Sequence, residues 1–360
     1  MSWYGIDAVD KAFSRTRKAL FEPFDFWKWA KLAIIIFFVG ITSGYGGSGS
    51  SYQTGIQDLE SNFPHIYPGQ TPDFPVNLSG INLDYVQSLF SPVIIISLVL
   101  FLLLILAFLF ISSVMEFVFV EALVRNEVRL RDYSRKFLRK GLSLLIIRFV
   151  LILLSFIVFL ISILPFVPIL LGESSEPSLL SVIGRVFWFI GVIIVLVLFG
   201  LVINSFLSLA IPLSIYKETE ILSAFSMIYG NFRKSWKEVV VYWFIRLVIA
   251  IGISVLAVIL FVVLILGSGL IFLTIDGVLY LLFSFFVSEP LLWILLFPFA
   301  VIELVLLFGA SLLISVPLGV FPKYHLLSFL EAWFADSGIP FFDSAVLEPE
   351  TGFNEPEPNF

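Results

Sequence analysis

The chain contains no cysteine, which excludes disulfides, thiolate-bound metals and cysteine nucleophiles. Histidine is almost as scarce: His65 and His325 are the two present. The topology derived below sets them on opposite sides of a membrane. No two-histidine metal site fits one chain on that arrangement, and no nucleophile–histidine–acid set can be assembled. Charge is sparse, at 13% Asp, Glu, Lys and Arg, against ~25% in soluble domains. Lys and Arg are missing altogether between Lys31 and Arg125. The glycines of Gly44 to Gly49 do not lead into a basic helix start, so a phosphate loop is excluded. No nucleic-acid partner is expected, because topology already accounts for the scattered basic charge.

Apolar residues are abundant instead. They make up 59% of the chain, with 41 Phe and a mean hydropathy of +1.06. Long apolar runs with few charges are transmembrane helices. The expected fold is an all-α polytopic membrane protein with six spans, near 26–45, 92–124, 142–166, 182–207, 239–266 and 291–318. The apolar stretch 270–287 is broken by Asp276-Gly277 and is expected to be an outer interfacial or re-entrant helix. Residues 1–26 are too polar for a cleavable signal peptide.

The basic residues orient the spans. Of 21, six lie before or at the start of the first span, seven lie in 125–140, four in 217–237, and Lys323 follows the last span. Arg148, Arg185 and Arg246 remain. The positive-inside rule then puts both termini in the cytoplasm of a cell membrane and loop 46–90 outside. That loop carries Asp58, Glu60, Asp73 and Asp84, and Asn77-Leu78-Ser79 is a glycosylation triplet, more readily a chance one. Residues 324–360 hold seven acids and no Lys or Arg, which makes an acidic, aromatic cytoplasmic tail whose first part, 326–334, could form a surface helix.

One unit recurs three times. Ile147-Arg148-Phe149-Val150 matches Ile245-Arg246-Leu247-Val248, and at the same offset Arg135-Lys136 falls on Arg233-Lys234. Lys31 holds the corresponding place in the first unit. Phe13-Ser14, Tyr133-Ser134 and Phe225-Ser226 begin the three units, and Ile211-Pro212-Leu213 resembles Val316-Pro317-Leu318. The units, about 1–124, 125–216 and 217–323 of a single membrane domain 1–323, each read as a cytoplasmic amphipathic helix followed by a transmembrane hairpin. They repeat in parallel orientation. In the first such helix Ile6, Val9, Phe13 and Leu20 are expected to share the apolar face. In the third, the expected face is Ile221, Leu222, Phe225, Ile228, Tyr229, Phe232 and Trp236.

Pro212-Leu213, the acidic Lys217-Glu218-Thr219-Glu220, then Ala224-Phe225-Ser226 and Ser235-Trp236 before a span resemble the membrane domain found with glycerophosphodiester phosphodiesterases. Gly5 to Gly40 and the stretch from Glu121 to Arg148 resemble archaeal six-span membrane proteins of unassigned function. The resemblance implies a membrane domain with a lipid connection. It implies no phosphodiesterase activity, because the catalytic domain has no counterpart here, and it carries over no catalytic residue.

Candidate residues follow from charge placement. Intramembrane charges are Glu116, Glu121, Arg148, Arg246 and Glu303; a charge in a span needs a partner, so Arg148 is expected to pair with Glu116 or Glu121, or else to snorkel to the headgroups. Arg125, Arg129, Arg131, Arg135, Lys136, Arg139, Lys140, Arg233, Lys234 and Lys237 are candidates for binding anionic lipid or the acidic tail. No cofactor and no metal is expected. The expected function is a non-enzymatic membrane scaffold or assembly protein, in contact with lipid and able to form a homo-oligomer. The alternative is a channel or transporter with an acidic outer mouth and Glu303 inside it.

Overall fold

The computed structural model describes residues 4–43, 92–170 and 179–334. Residues 46–90 with Asp58, Glu60, Asp73, Asp84 and Asn77, the acidic stretch 172–177 and the segment beyond 334 lie outside the described residues. All regular structure among the described residues is helical. In order these are α1 (Tyr4–Phe21), α2 (Phe26–Ser43), α3 (Pro92–Val124), α4 (Leu130–Ile163), a 3-10 turn and the short α5 (Val167–Leu170), α6 (Leu179–Tyr216), α7 (Ile221–Lys234), α8 (Trp236–Ser284) and α9 (Glu289–Trp333). Helices α3, α4, α6, α8 and α9 are long and apolar enough to cross a membrane, and α2 covers most of the first expected span.

The 49 residues of α8 make a rod of roughly 73 Å at ~1.5 Å per residue, more than twice a ~30 Å hydrocarbon core. Segment 270–287 is therefore not a separate re-entrant helix; its residues to Ser284 complete α8. Gly267-Ser268-Gly269 reads as a break in water. In apolar surroundings the backbone has no other partner for its hydrogen bonds, so the helix continues. Ser268 Oγ donates back to the Leu264 carbonyl at 2.6 Å.

The structure divides into two compact units. Of the described residues, the first comprises 4–36, 117–133 and 209–334; the second comprises 37–43, 92–116, 134–170 and 179–208. In the first unit α1 packs on α9 and α8. Its buried residues are Gly5, Ala8, Ala12, Thr16, Ala19 and Leu20, whereas Ile6 and Phe13 are exposed. The expected apolar face is thus corrected in kind. Small residues three or four apart let backbones approach closely, and the close contact went to size, not to hydrophobicity. The α7 face is also divided: Ile221 and Ile228 are buried with Ala224, while Leu222, Tyr229 and Trp236 are exposed. A further correction concerns 326–334. These residues are no surface helix: most are buried, and those to Trp333 are the end of α9.

Polar contacts hold α1 in place. Arg15 donates to Ser328 Oγ and to Glu331 Oε2, both at 2.8 Å. Buried His325 lies with Nε2 3.1 Å from the Gly5 carbonyl, stacked on Tyr242, which in turn stacks on Phe329. Hydrogen bonds to a charged group contribute about 1.5–3 kcal/mol each. Arg15→Met is therefore expected to speed tryptic cleavage after Lys18 by about tenfold or more. Arg17→Met is expected to change it little, because the Arg17–Glu22 pair is solvent-exposed on both sides. Equal rates in the two variants would refute the assignment.

Candidate functional site

In the second unit α3 and α4 meet at Gly141. A Cβ there would lie 3.0 Å from Val114 Cα and 3.1 Å from Val114 N, and would overlap Val114 Cγ2. The absence of a side chain is what allows this approach. Glu116 follows Val114 by two residues, and Arg148 follows Gly141 by seven, two turns along the same face. Arg148 Nη2 reaches Glu116 Oε2 at 2.5 Å. The Glu116 side chain is 1% exposed and that of Arg148 12%. Neither charge has an aqueous alternative here, so each stabilises the other's burial.

A cavity of about 410 Å³ adjoins the pair, within the ~300–1,000 Å³ range of small-molecule sites. Three helices wall it. From α4 come Arg148, Ile152 and Ser155; from α6, Gly200 and Asn204; from α3, Leu109 and Ser113. The Ser113 hydroxyl donates to the Leu109 carbonyl at 2.9 Å. The Asn204 amide group and the Ser155 hydroxyl have no partner among the described residues. The lining residues Phe149 and Ile152 are 55% and 61% exposed. The cavity thus opens on an apolar surface, which in a spanning segment faces lipid.

The other candidates fall elsewhere. Glu121 is not with Arg148; it accepts from Arg125 Nε at 2.8 Å, one turn along the chain. Arg129 donates to Glu127 at 2.6 Å. Arg246 lies 3.4 Å from the Tyr242 hydroxyl and 6.0 Å from its ring centroid, a contact that the i, i+4 spacing sets up. Glu303 on α9 neighbours Asp276 on α8, so the two acids face each other. Arg125, Arg129, Arg131, Arg135, Lys136, Arg139, Arg233, Lys234 and Lys237 are all exposed, and Lys140 is half-buried. Among the described residues no three His, Asp or Glu side chains cluster as metal ligands would.

Sequence reasoning did not single out Asp276, Ser155 or Asn204 as site residues. Asp276 carried a signal, since a lone acid in an apolar run demands a partner; treating its segment as a separate helix removed α9 from consideration. Ser155 lies seven residues after Arg148 and so shares its face, which was readable. Asn204 was noted only as a polar residue in its span. No curated protein and no solved structure matches the chain. Residues 3–338 match a family of unknown function, DUF7544, and the chain belongs to that family.

Proposed function

We propose that this is a non-enzymatic scaffold or assembly protein of the cell membrane, a homo-oligomer that holds anionic headgroups with its exposed basic residues. The observation that carries the reading is how polarity is used inside the long helices. The hydroxyls of Ser113, Ser162, Ser208, Ser268, Ser311 and Ser315 donate to carbonyls of their own helices. Arg148 and Arg246 are engaged by Glu116 and Tyr242. Polar groups spent this way do not line a polar lane for a solute, and the unpartnered Ser155 and Asn204 sit together at one cavity. The basic residues, by contrast, project outward, as juxtamembrane lipid contacts do.

The threefold repeat belongs to the same proposal, with six spans and both termini inside. Two turns support it. Asn126 and Glu218 both adopt left-handed backbone conformations, φ 54° and 52°, each as the second residue of its unit. The preceding residues, Arg125 and Lys217, donate their N–H to Glu121 and Leu213 carbonyls at 3.0 Å. The likeness to the phosphodiesterase-associated membrane domain adds the lipid connection.

The test is retention of phosphatidylglycerol by the full chain, read by native mass spectrometry in mixed-lipid nanodiscs. Each basic residue near an anionic surface contributes about 1 kcal/mol. Arg233→Gln, Lys234→Gln and Lys237→Gln together should weaken retention about a hundredfold at low salt. Unchanged retention counts against the reading. A cation flux in liposomes that Glu303→Gln abolishes would replace it with the channel.

A further inference from the structure

We infer that the cavity beside Arg148 is a binding site for an uncharged amphiphile of the bilayer, an apolar chain ending in a hydroxyl or carbonyl group. This does not depend on the scaffold reading, because it concerns buried groups and not the exposed basic ones. Four observations lead to it.

The first is access. The lining residues Phe149, Ile152 and Phe199 also belong to the exposed apolar surface of α4 and α6. A ligand enters from the hydrocarbon and not from water, so it must already reside in the membrane. The second is lining. Leu109, Ile152 and Phe199 supply apolar wall, which suits a chain and offers water few partners. The third is polarity. The Asn204 amide and the Ser155 hydroxyl reach the cavity without partners among the described residues. Both can donate and accept, and a polar group in apolar surroundings gains most from a partner there. The fourth is charge balance. Arg148 would draw an anion if it stood alone. Glu116 at 2.5 Å cancels that charge, so a carboxylate or phosphate entering the cavity would be desolvated without a net positive field to repay it. An uncharged polar end group avoids that cost.

The experiment uses the full chain in nanodiscs with three photoreactive probes that share one diazirine-bearing chain: hexadecanol, hexadecanoic acid and hexadecane. Cross-linked peptides are mapped by mass spectrometry. Hexadecanol should label saturably within 145–155 and 199–207, about tenfold more than the acid, a ratio the size of one hydrogen bond. Gly200→Leu should abolish that labelling. A Cβ at Gly200 meets nothing within 4 Å, so the substitution narrows the cavity without disturbing packing. Asn204→Leu should lower hexadecanol labelling about tenfold and leave hexadecane labelling unchanged. Labelling spread evenly over all spans, or indifferent to Gly200→Leu, overturns the site. Acid labelling equal to or above that of the alcohol overturns the uncharged end group.

Discussion

Arg148→Met is expected to remove most folded protein from detergent extracts, while the double variant Arg148→Met with Glu116→Leu restores it. The single change leaves the Glu116 carboxylate 1% exposed with its cation gone. Removing one partner of a buried pair costs about 3–5 kcal/mol, whereas replacing both by apolar groups of similar volume is close to neutral. Against a whole-domain stability of about 5–15 kcal/mol, the single loss empties much of the folded population. The measurement is monodisperse yield on size exclusion with the thermal midpoint of the recovered peak. The charge-swapped pair, Arg148→Glu with Glu116→Arg, should recover part of it, since both side chains must fit reversed positions. If the apolar double variant is no better than Arg148→Met alone, the pair is not what holds α3 to α4 and the charge argument fails.

The same pair illustrates what a sequence makes legible. Apolar runs and basic boundaries located the long helices, because hydrocarbon leaves the backbone almost no alternative to helix. Arg148 and Glu116 lie at comparable depth in consecutive spans, so proximity was readable; Glu121, five residues further on, was an equal candidate, and only the register at Gly141 separates them. Size proved harder to read than hydropathy. In α1 the large residues Ile6 and Phe13 drew attention, while the contact uses Gly5, Ala8 and Ala12. Their spacing of three and four is a signal in its own right. Residues 324–334 misled for another reason. Acids without Lys or Arg suggested a solvated tail, yet the acids lie mostly beyond 334, and Tyr324 to Leu330 is an unbroken buried run. The cavity was not legible at all. It depends on three helices from distant parts of the chain, and on a side chain missing at Gly200.

Gly141→Leu should be as damaging as the loss of Arg148, by a different route. A Cβ at 141 is opposed by the Val114 backbone at 3.0 and 3.1 Å as well as by Cγ2. Backbone cannot rotate away as a side-chain tip can, so α3 and α4 must separate. Overpacking alone costs about 1–3 kcal/mol. Separation also lengthens the Arg148–Glu116 contact two turns along, adding the penalty of a weakened buried pair. Gly200→Leu is the matched control, with the same change of size in open space; it should hold or gain about 1 kcal/mol from helix propensity. Gly141→Ala isolates the first carbon, and Val114→Ala in the same chain removes Cγ2 but leaves both backbone contacts. The thermal midpoint of Gly141→Ala should therefore recover only in part when Val114→Ala is added. Full recovery would mean that the valine side chain sets the spacing, and the close backbone approach would no longer explain how Arg148 is brought to Glu116.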